Sequence, residues 1–227
     1  MTPPVELDHL VVAAATLAQG CDYLESGLGV RPQPGGKHPT MSTHNAVLGL
    51  GPRTYLEVIA IDPAAPAPER PRWFGLDSGA MRQRLADGPF LAHWAARVER
   101  PVDLSRWQAQ YPDRIAPAIP MTRGALHWRL TVPDDGSLPA WPGEATHAGD
   151  GLFPTLIQWD VPNHPAISLP RQDLALRRLR GSHPQAELLR QGLAWIGAAD
   201  LIEIEQSDGP PQLVAEIDTP AGTKTLR

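Results

Sequence analysis

At 227 residues the chain is long enough to bury a substantial core in one large domain or two small ones. A formal charge of −5 argues against general affinity for nucleic acid or anionic membrane, and a single cysteine excludes a disulfide framework and thiolate metal clusters. No stretch approaches the ~20 apolar residues of a membrane span, and 26 prolines with 20 glycines read as punctuation between many short elements.

The polar segment Met1 to Glu6 carries no secretory signal, so a cytoplasmic protein is the default expectation. A strand is predicted over Val5 to Ala13. Thr16 and Gln19 then fit a capping box, and Leu17, Cys21, Leu24 and Leu28 fall on one helical face that ends at Gly27 and Gly29. Within that face Cys21 reads as a small buried hydrophobe. Pro32 to Pro39 reads as a loop, followed by strands at about Asn45 to Leu50 and Thr54 to Ile61 around the turn Gly51-Pro52-Arg53. Asp62 to Arg72 is a proline-rich connector, and Ser78 to Asp87 holds a short helix.

The same order then returns. Phe90 to Val98 is an apolar strand, and Leu104, Trp107 and Tyr111 share a helical face. Leu126 to Val132 and Pro154 to Val161 are closing strands separated by a long Pro/Gly-rich insertion. A weaker third copy follows: a strand at Leu174 to Leu179, a second capping box at Ser182 to Gln185, a helix lined by Leu189, Leu193 and Ile196, and strands at Leu201 to Glu205 and Leu213 to Ile217. The arginines at 171, 177, 178 and 180 read as a solvated strand face. Repetition of one strand–helix–strand–strand unit is the strongest fold signal in the chain. The predicted fold class is α+β, with repeated βαββ(β) units forming curled mixed sheets around a central cavity and helices outside. Residues 1–165 form the paired domain, with units at about 5–62 and 90–162, and 166–227 a third, degenerate unit packed on it.

Side chains alternate along a strand. Glu57 is flanked by large apolar residues, and an ionised carboxylate there costs several kcal/mol unless it is paired, hydrogen-bonded or metal-bound. His9 is a candidate partner, as is a cation bound by both. His93 stands in its strand much as His9 does, and laying Thr155 to Trp159 over Thr54 to Val58 sets Gln158 beside Glu57. Taken alone, a strand histidine is more often a hydrogen-bonded structural residue than a ligand, and Gln158 is as readily a satisfied buried amide.

Leu7-Asp8-His9-Leu10-Val11-Val12, Thr43-His44-Asn45-Ala46, Thr54-Tyr55-Leu56-Glu57-Val58-Ile59 and Pro71-Arg72-Trp73-Phe74-Gly75-Leu76-Asp77 resemble the glyoxalase-like domain proteins of the vicinal oxygen chelate superfamily, from about Val5 to Pro165. That resemblance implies metal ligands on the first and last strands of paired units, at His9, Glu57, His93 and Gln158. It implies a divalent ion (Zn, Ni, Mn, Co or Fe), for which mixed N/O donors do not choose a winner. The implied activity is lyase or isomerase chemistry on a small oxygen-bearing substrate ahead of dioxygenation, with Glu57 bound to the metal or acting as base. His44, Asn45, Trp73, Phe74 and Arg129 are candidate substrate contacts. Each has a plain alternative: a turn cap for His44 and Asn45, a sheet-end plug for Trp73 and Phe74, an ion pair with Asp or Glu for Arg129. The competing function is a metal-free protein that binds or sequesters a small molecule. The C-terminal unit is read as an edge cover or a homodimer contact.

Overall fold

The structure, a computed structural model, describes residues 5–144 and 146–227. Most of the opening segment Met1 to Glu6 therefore lies outside the described residues. The first unit runs β1 (Val5–Ala13), α1 (Leu17–Leu28), β2 (Gln33–His38), β3 (Thr43–Gly49) and β4 (Tyr55–Ile61). A helix α2 (Gly79–Ala86) leads to the second unit: β5 (Phe90–Val98), α3 (Leu104–Gln110), β6 (Ala118–Arg123), β7 (Leu126–Thr131), the short pair β8 (Trp141–Pro142) and β9 (His147–Ala148), then β10 (Thr155–Trp159). The last quarter is β11 (Ala175–His183), α4 (Ala186–Ile196), β12 (Glu203–Gln206), β13 (Gln212–Thr219) and β14 (Gly222–Leu226).

Local chemistry sets several of these boundaries. Thr16 caps α1 by accepting the Gln19 N–H, and Gly29 closes it in the left-handed conformation with its N–H on Glu25. The expected second capping box does not form. Ser182 is still in β11, Gln185 occupies the N-cap of α4 without a side-chain cap bond, and its N–H goes to His183 Nδ1 instead. Residues 33–38, read as a loop from their prolines and glycines, form β2, and β6 had no sequence signal. Both sit at sheet edges, where a proline costs no central ladder bond.

Eight strands form one curled mixed sheet in the order β2-β3-β4-β1-β5-β10-β7-β6. The two units meet where β1 pairs antiparallel with β5. That pairing is symmetric about Leu10 opposite Trp94: His9 faces Ala95 as Val11 faces His93, and Leu7 faces Ala96 as Val12 faces Leu91. Each strand carries one extra residue in the same relative place, Asp8 on β1 and Ala92 on β5. A pseudo-twofold axis thus relates the halves residue by residue.

The two faces of this sheet have different roles. Leu10, Val12, Leu56, Val58, Trp94 and Leu156 belong to a large core that includes residues of α1, α3, α4 and the second sheet, ordered β12-β11-β13-β14. Trp141 packs at a tilt against Trp195 and Phe153 at that junction. On the opposite, concave face Val11, Ile59, Ala95 and Ile157 form an inner core with Trp73, Phe74 and Trp128. Among the described residues no helix is long and apolar enough to cross a membrane.

Candidate functional site

The concave face holds a chamber of about 30 Å³ lined by His9, His38, Asn45, Glu57, Trp73 and Arg123 among others, with room for a water-sized group. The β1 bulge is what populates its floor. Neighbours on a regular strand face opposite sides, but here Asp8 and His9 turn inward together, and Asp8 Oδ1 lies 2.7 Å from His9 Nδ1. Asp8 is fully buried and its other oxygen accepts from Trp159 Nε1 (2.9 Å), His164 Nε2 (2.9 Å) and Arg97 Nη1 (3.2 Å). Burial alone would raise its pKa, but the bonds and charges of His164 and His9 hold it well below the usual carboxylate range.

An ionised Asp8 can only accept, so the Nδ1 of His9 carries a proton and Nε2 points into the chamber. Burial opposes a charged imidazole, yet the hydrogen bond and charge of Asp8, with the charge of Glu57, raise the His9 pKa above its ordinary value. Tyr55 stacks on the ring with centroids 4.7 Å apart. Glu57 Oε2 stands 3.6 Å from His9 Nε2, within ion-pair reach and beyond a hydrogen bond, and Glu57 Oε1 accepts from Asn45 Nδ2 at 2.5 Å.

His93 also lies on the concave face, but it is closed. Gly151 O can only accept, so Nδ1 donates to it (3.1 Å). The Thr155 N–H can only donate, so Nε2 takes it (3.1 Å), with Thr155 Oγ1 at 2.9 Å. Burial pushes the His93 pKa down to about 3. The strand register explains the contrast. Val11 pairs with Glu57, and its counterpart Ala95 pairs with Thr155. Thr155 is therefore the symmetry mate of Glu57, as His93 is of His9 and Ala92 of Asp8. One half keeps two carboxylates around its histidine. The other has none.

Gln158 does not enter the chamber. Three residues beyond Thr155, it faces α3, where Oε1 accepts from Leu104 N and Arg129 Nη2 and Nε2 donates to Val98 O and Val102 O. Arg129 shares that outer side, paired with Asp103 and Asp160. His44 alternates with Asn45 and faces away from Glu57, whereas Asn45 points inward. Trp73 and Phe74 are buried beside the chamber, stacked 5.4 Å apart, and Phe74 holds a left-handed backbone (φ 59°), which is costly for an aromatic residue.

A catalytic divalent site takes about three converging protein donors and leaves a position open for substrate. Among the described residues no three His, Cys, Asp or Glu side chains converge on one point. With Gln158 outside and the one lone pair of His93 taken, His9 and Glu57 are what remains of the expected set, and the residues present do not fit a resident metal ion.

Sequence reasoning missed Asp8, His38, Arg123, Trp128, Trp159 and His164. Asp8 depends on the bulge, which leaves no sequence signal. Arg123 depends on an unpredicted edge strand, although Trp128 and Trp159 do lie on predicted strands with inward alternation. Burial lowers the His38 pKa to about 4.

Residues 7–197 match the family described as glyoxalase-like domain. Among solved structures, a hypothetical protein from Staphylococcus aureus is similar at TM-score 0.58 and 11% identity, covering 97% of this chain and 84% of its own. Methylmalonyl-CoA epimerase from Mycobacterium tuberculosis is similar at TM-score 0.41 and 16% identity, covering 70% and 90%. No curated protein matches the sequence.

Proposed function

Because the chain belongs to the glyoxalase-like domain family of the vicinal oxygen chelate superfamily, we propose that it is an enzyme moving a proton on a small oxygen-bearing substrate, in lyase or isomerase chemistry. The observation that carries this reading is the line Asp8–His9–Glu57, with 2.7 Å and 3.6 Å separations, whose last two members line one chamber. The pair stand 3.6 Å apart in a chamber that holds a water-sized group, so a substrate binds by parting them, and a carbon next to its carbonyl then gives a proton to Glu57. The C–H electron pair becomes a carbon–carbon double bond, the carbonyl π pair moves onto oxygen, and the His9 Nε2–H stabilises the charge that forms there. Return of the proton to another atom, or loss of a leaving group, completes the turnover. Asp8 favours the protonated form of His9 and aims its ring, a positioning role.

The divalent-metal version of this chemistry needs donors beyond His9 and Glu57, and the donor geometry does not supply them. Elemental analysis of protein purified without chelator tests that point. Substoichiometric Zn, Ni, Mn, Co and Fe is expected; one equivalent of metal, lost in His9→Gln and Glu57→Gln, would restore the metal reading. For the proton transfer itself, a panel of small carbonyl compounds is incubated with enzyme in D2O and followed by NMR. Deuterium wash-in that drops at least 100-fold in either variant supports the proposal. Wash-in unaffected by both sinks it.

A second reading, binding without turnover, is favoured by a neighbouring cavity of about 770 Å³ lined by Phe74, Met81, Phe90 and Leu138, which is of ligand size. Saturable binding with no wash-in anywhere in the panel would select it.

A further inference from the structure

We propose that Arg123 recognises a carboxylate on the substrate, so that the ligand class of the chamber is a small carboxylic acid bearing a carbonyl. This rests on the chamber being the reacting site. Arg123 ends β6, at the opposite edge of the sheet from β2, and is half-buried on the chamber lining. Among the described residues its guanidinium donates to one group, Asn45 Oδ1 at 3.1 Å, and no carboxylate lies within ion-pair distance of it. An arginine facing a site with its remaining donors free is suited to a two-oxygen anion, which it grips through paired N–H groups.

Two further observations point the same way. Trp73, which lines the same chamber, is buried with its indole N–H unpartnered, a donor that an anionic oxygen reaching it would satisfy. The path of the Arg123 arm is also built in. A Cβ on Gly36 would lie 2.7 Å from Arg123 Cδ, and one on Gly35 would lie 2.2 Å from Asn45 Oδ1. Gly35-Gly36, at the irregularity in the β2–β3 pairing, thus clears the space in which arginine and amide meet. Asn45 then serves both functions, accepting from Arg123 and donating to Glu57, and fixes the anion-binding group relative to the base. A carboxylate anchored on Arg123 would set its neighbouring carbon on the Asn45–Glu57 side once the water-sized chamber widens to admit it.

The test is calorimetric titration with pyruvate and with pyruvamide, its uncharged counterpart. Wild-type protein is expected to hold pyruvate at least tenfold more tightly than pyruvamide. Arg123→Met should erase that preference, Arg123→Lys should keep part of it, and Gly36→Ala should weaken pyruvate severalfold by displacing the arm, each with circular dichroism and melting temperature near wild type. Equal affinity for acid and amide, an unchanged preference in Arg123→Met, or no saturable binding of pyruvate, acetate or malonate overturns the proposal. Carboxylate binding that survives without any deuterium wash-in would instead fault the acid–base reading and leave this one standing.

Discussion

His9 and His93 occupy equivalent places about a pseudo-twofold axis, yet they hold opposite charge preferences: the pKa of His9 is raised and that of His93 is pushed down to about 3. The difference lies in their neighbours. The bulge residue beside His9 is Asp8 and its cross-strand partner in function is Glu57, whereas the corresponding residues around His93 are Ala92 and Thr155. A duplicated scaffold has kept two imidazoles and put charge around only one.

Asp8→Asn keeps the shape and removes the charge that four donors converge on. The buried Arg97, already bonded to Glu6 and Glu99, would lose part of its compensation. Breaking such a buried network costs about 3–5 kcal/mol. Urea unfolding should show that loss, and NMR titration should show the His9 pKa falling. An unchanged His9 pKa would mean Asp8 does not set its protonation.

Gln158→Ala tests whether that amide is structural. Its four hydrogen bonds tie β10 to the end of β5, to Val102 and the start of α3, and to Arg129. The substitution leaves the Leu104 N–H and two carbonyls without their partner, a loss of roughly 2–4 kcal/mol. Chamber chemistry and metal content should stay as in wild type. A variant of full stability that lost activity would assign Gln158 to the site instead.

Acid should destabilise the protein well before its carboxylates protonate. His38 and His93 are neutral when folded, with pKa values near 4 and 3, and ordinary, near 6.5, when unfolded. Between those limits the unfolded chain binds the extra protons, so stability falls as pH drops below 6.5, by roughly 2 kcal/mol for each histidine at pH 5. His9 runs the other way: with a raised folded pKa its contribution is complete below 6.5 and is lost as pH rises through the folded value. Asp8, held far below the carboxylate range, adds nothing to the decline near pH 5. Melting temperature against pH should therefore slope down from 6.5 to 5, and a flat curve there would contradict the burial of both rings.

Trp141→Ala should unfold both sheets together. Trp141 packs on Phe153 and Trp195 at 5.7 and 5.3 Å, lies under the Arg114 guanidinium, and touches α4 where Gly192 allows close approach. Truncating a buried tryptophan costs about 3–5 kcal/mol. Because one core contains residues from both sheets, a single unfolding transition at lower denaturant is expected. Two separated transitions would show that the C-terminal sheet folds on its own.

The amino-acid order alone determined the elements and their repetition. Apolar runs marked β1, β4, β5 and β10, the Thr16 cap and the Leu17-to-Leu28 face marked α1, and the motif around Asp8-His9 and Glu57 marked the family. It also placed His9 and Glu57 for a physical reason: strand periodicity puts a polar residue among apolar ones where the fold must compensate it. What it left open was register. Matching Glu57 to Gln158 instead of Thr155 is an error of three residues, and in a strand any odd shift moves a side chain to the other face. Only the pairing of β10 with β5 decides that. Tertiary structure likewise decided the bulge that turns Asp8 inward and the edge strands that bring Asn45 and Arg123 together, because each depends on hydrogen bonds between segments far apart in the chain.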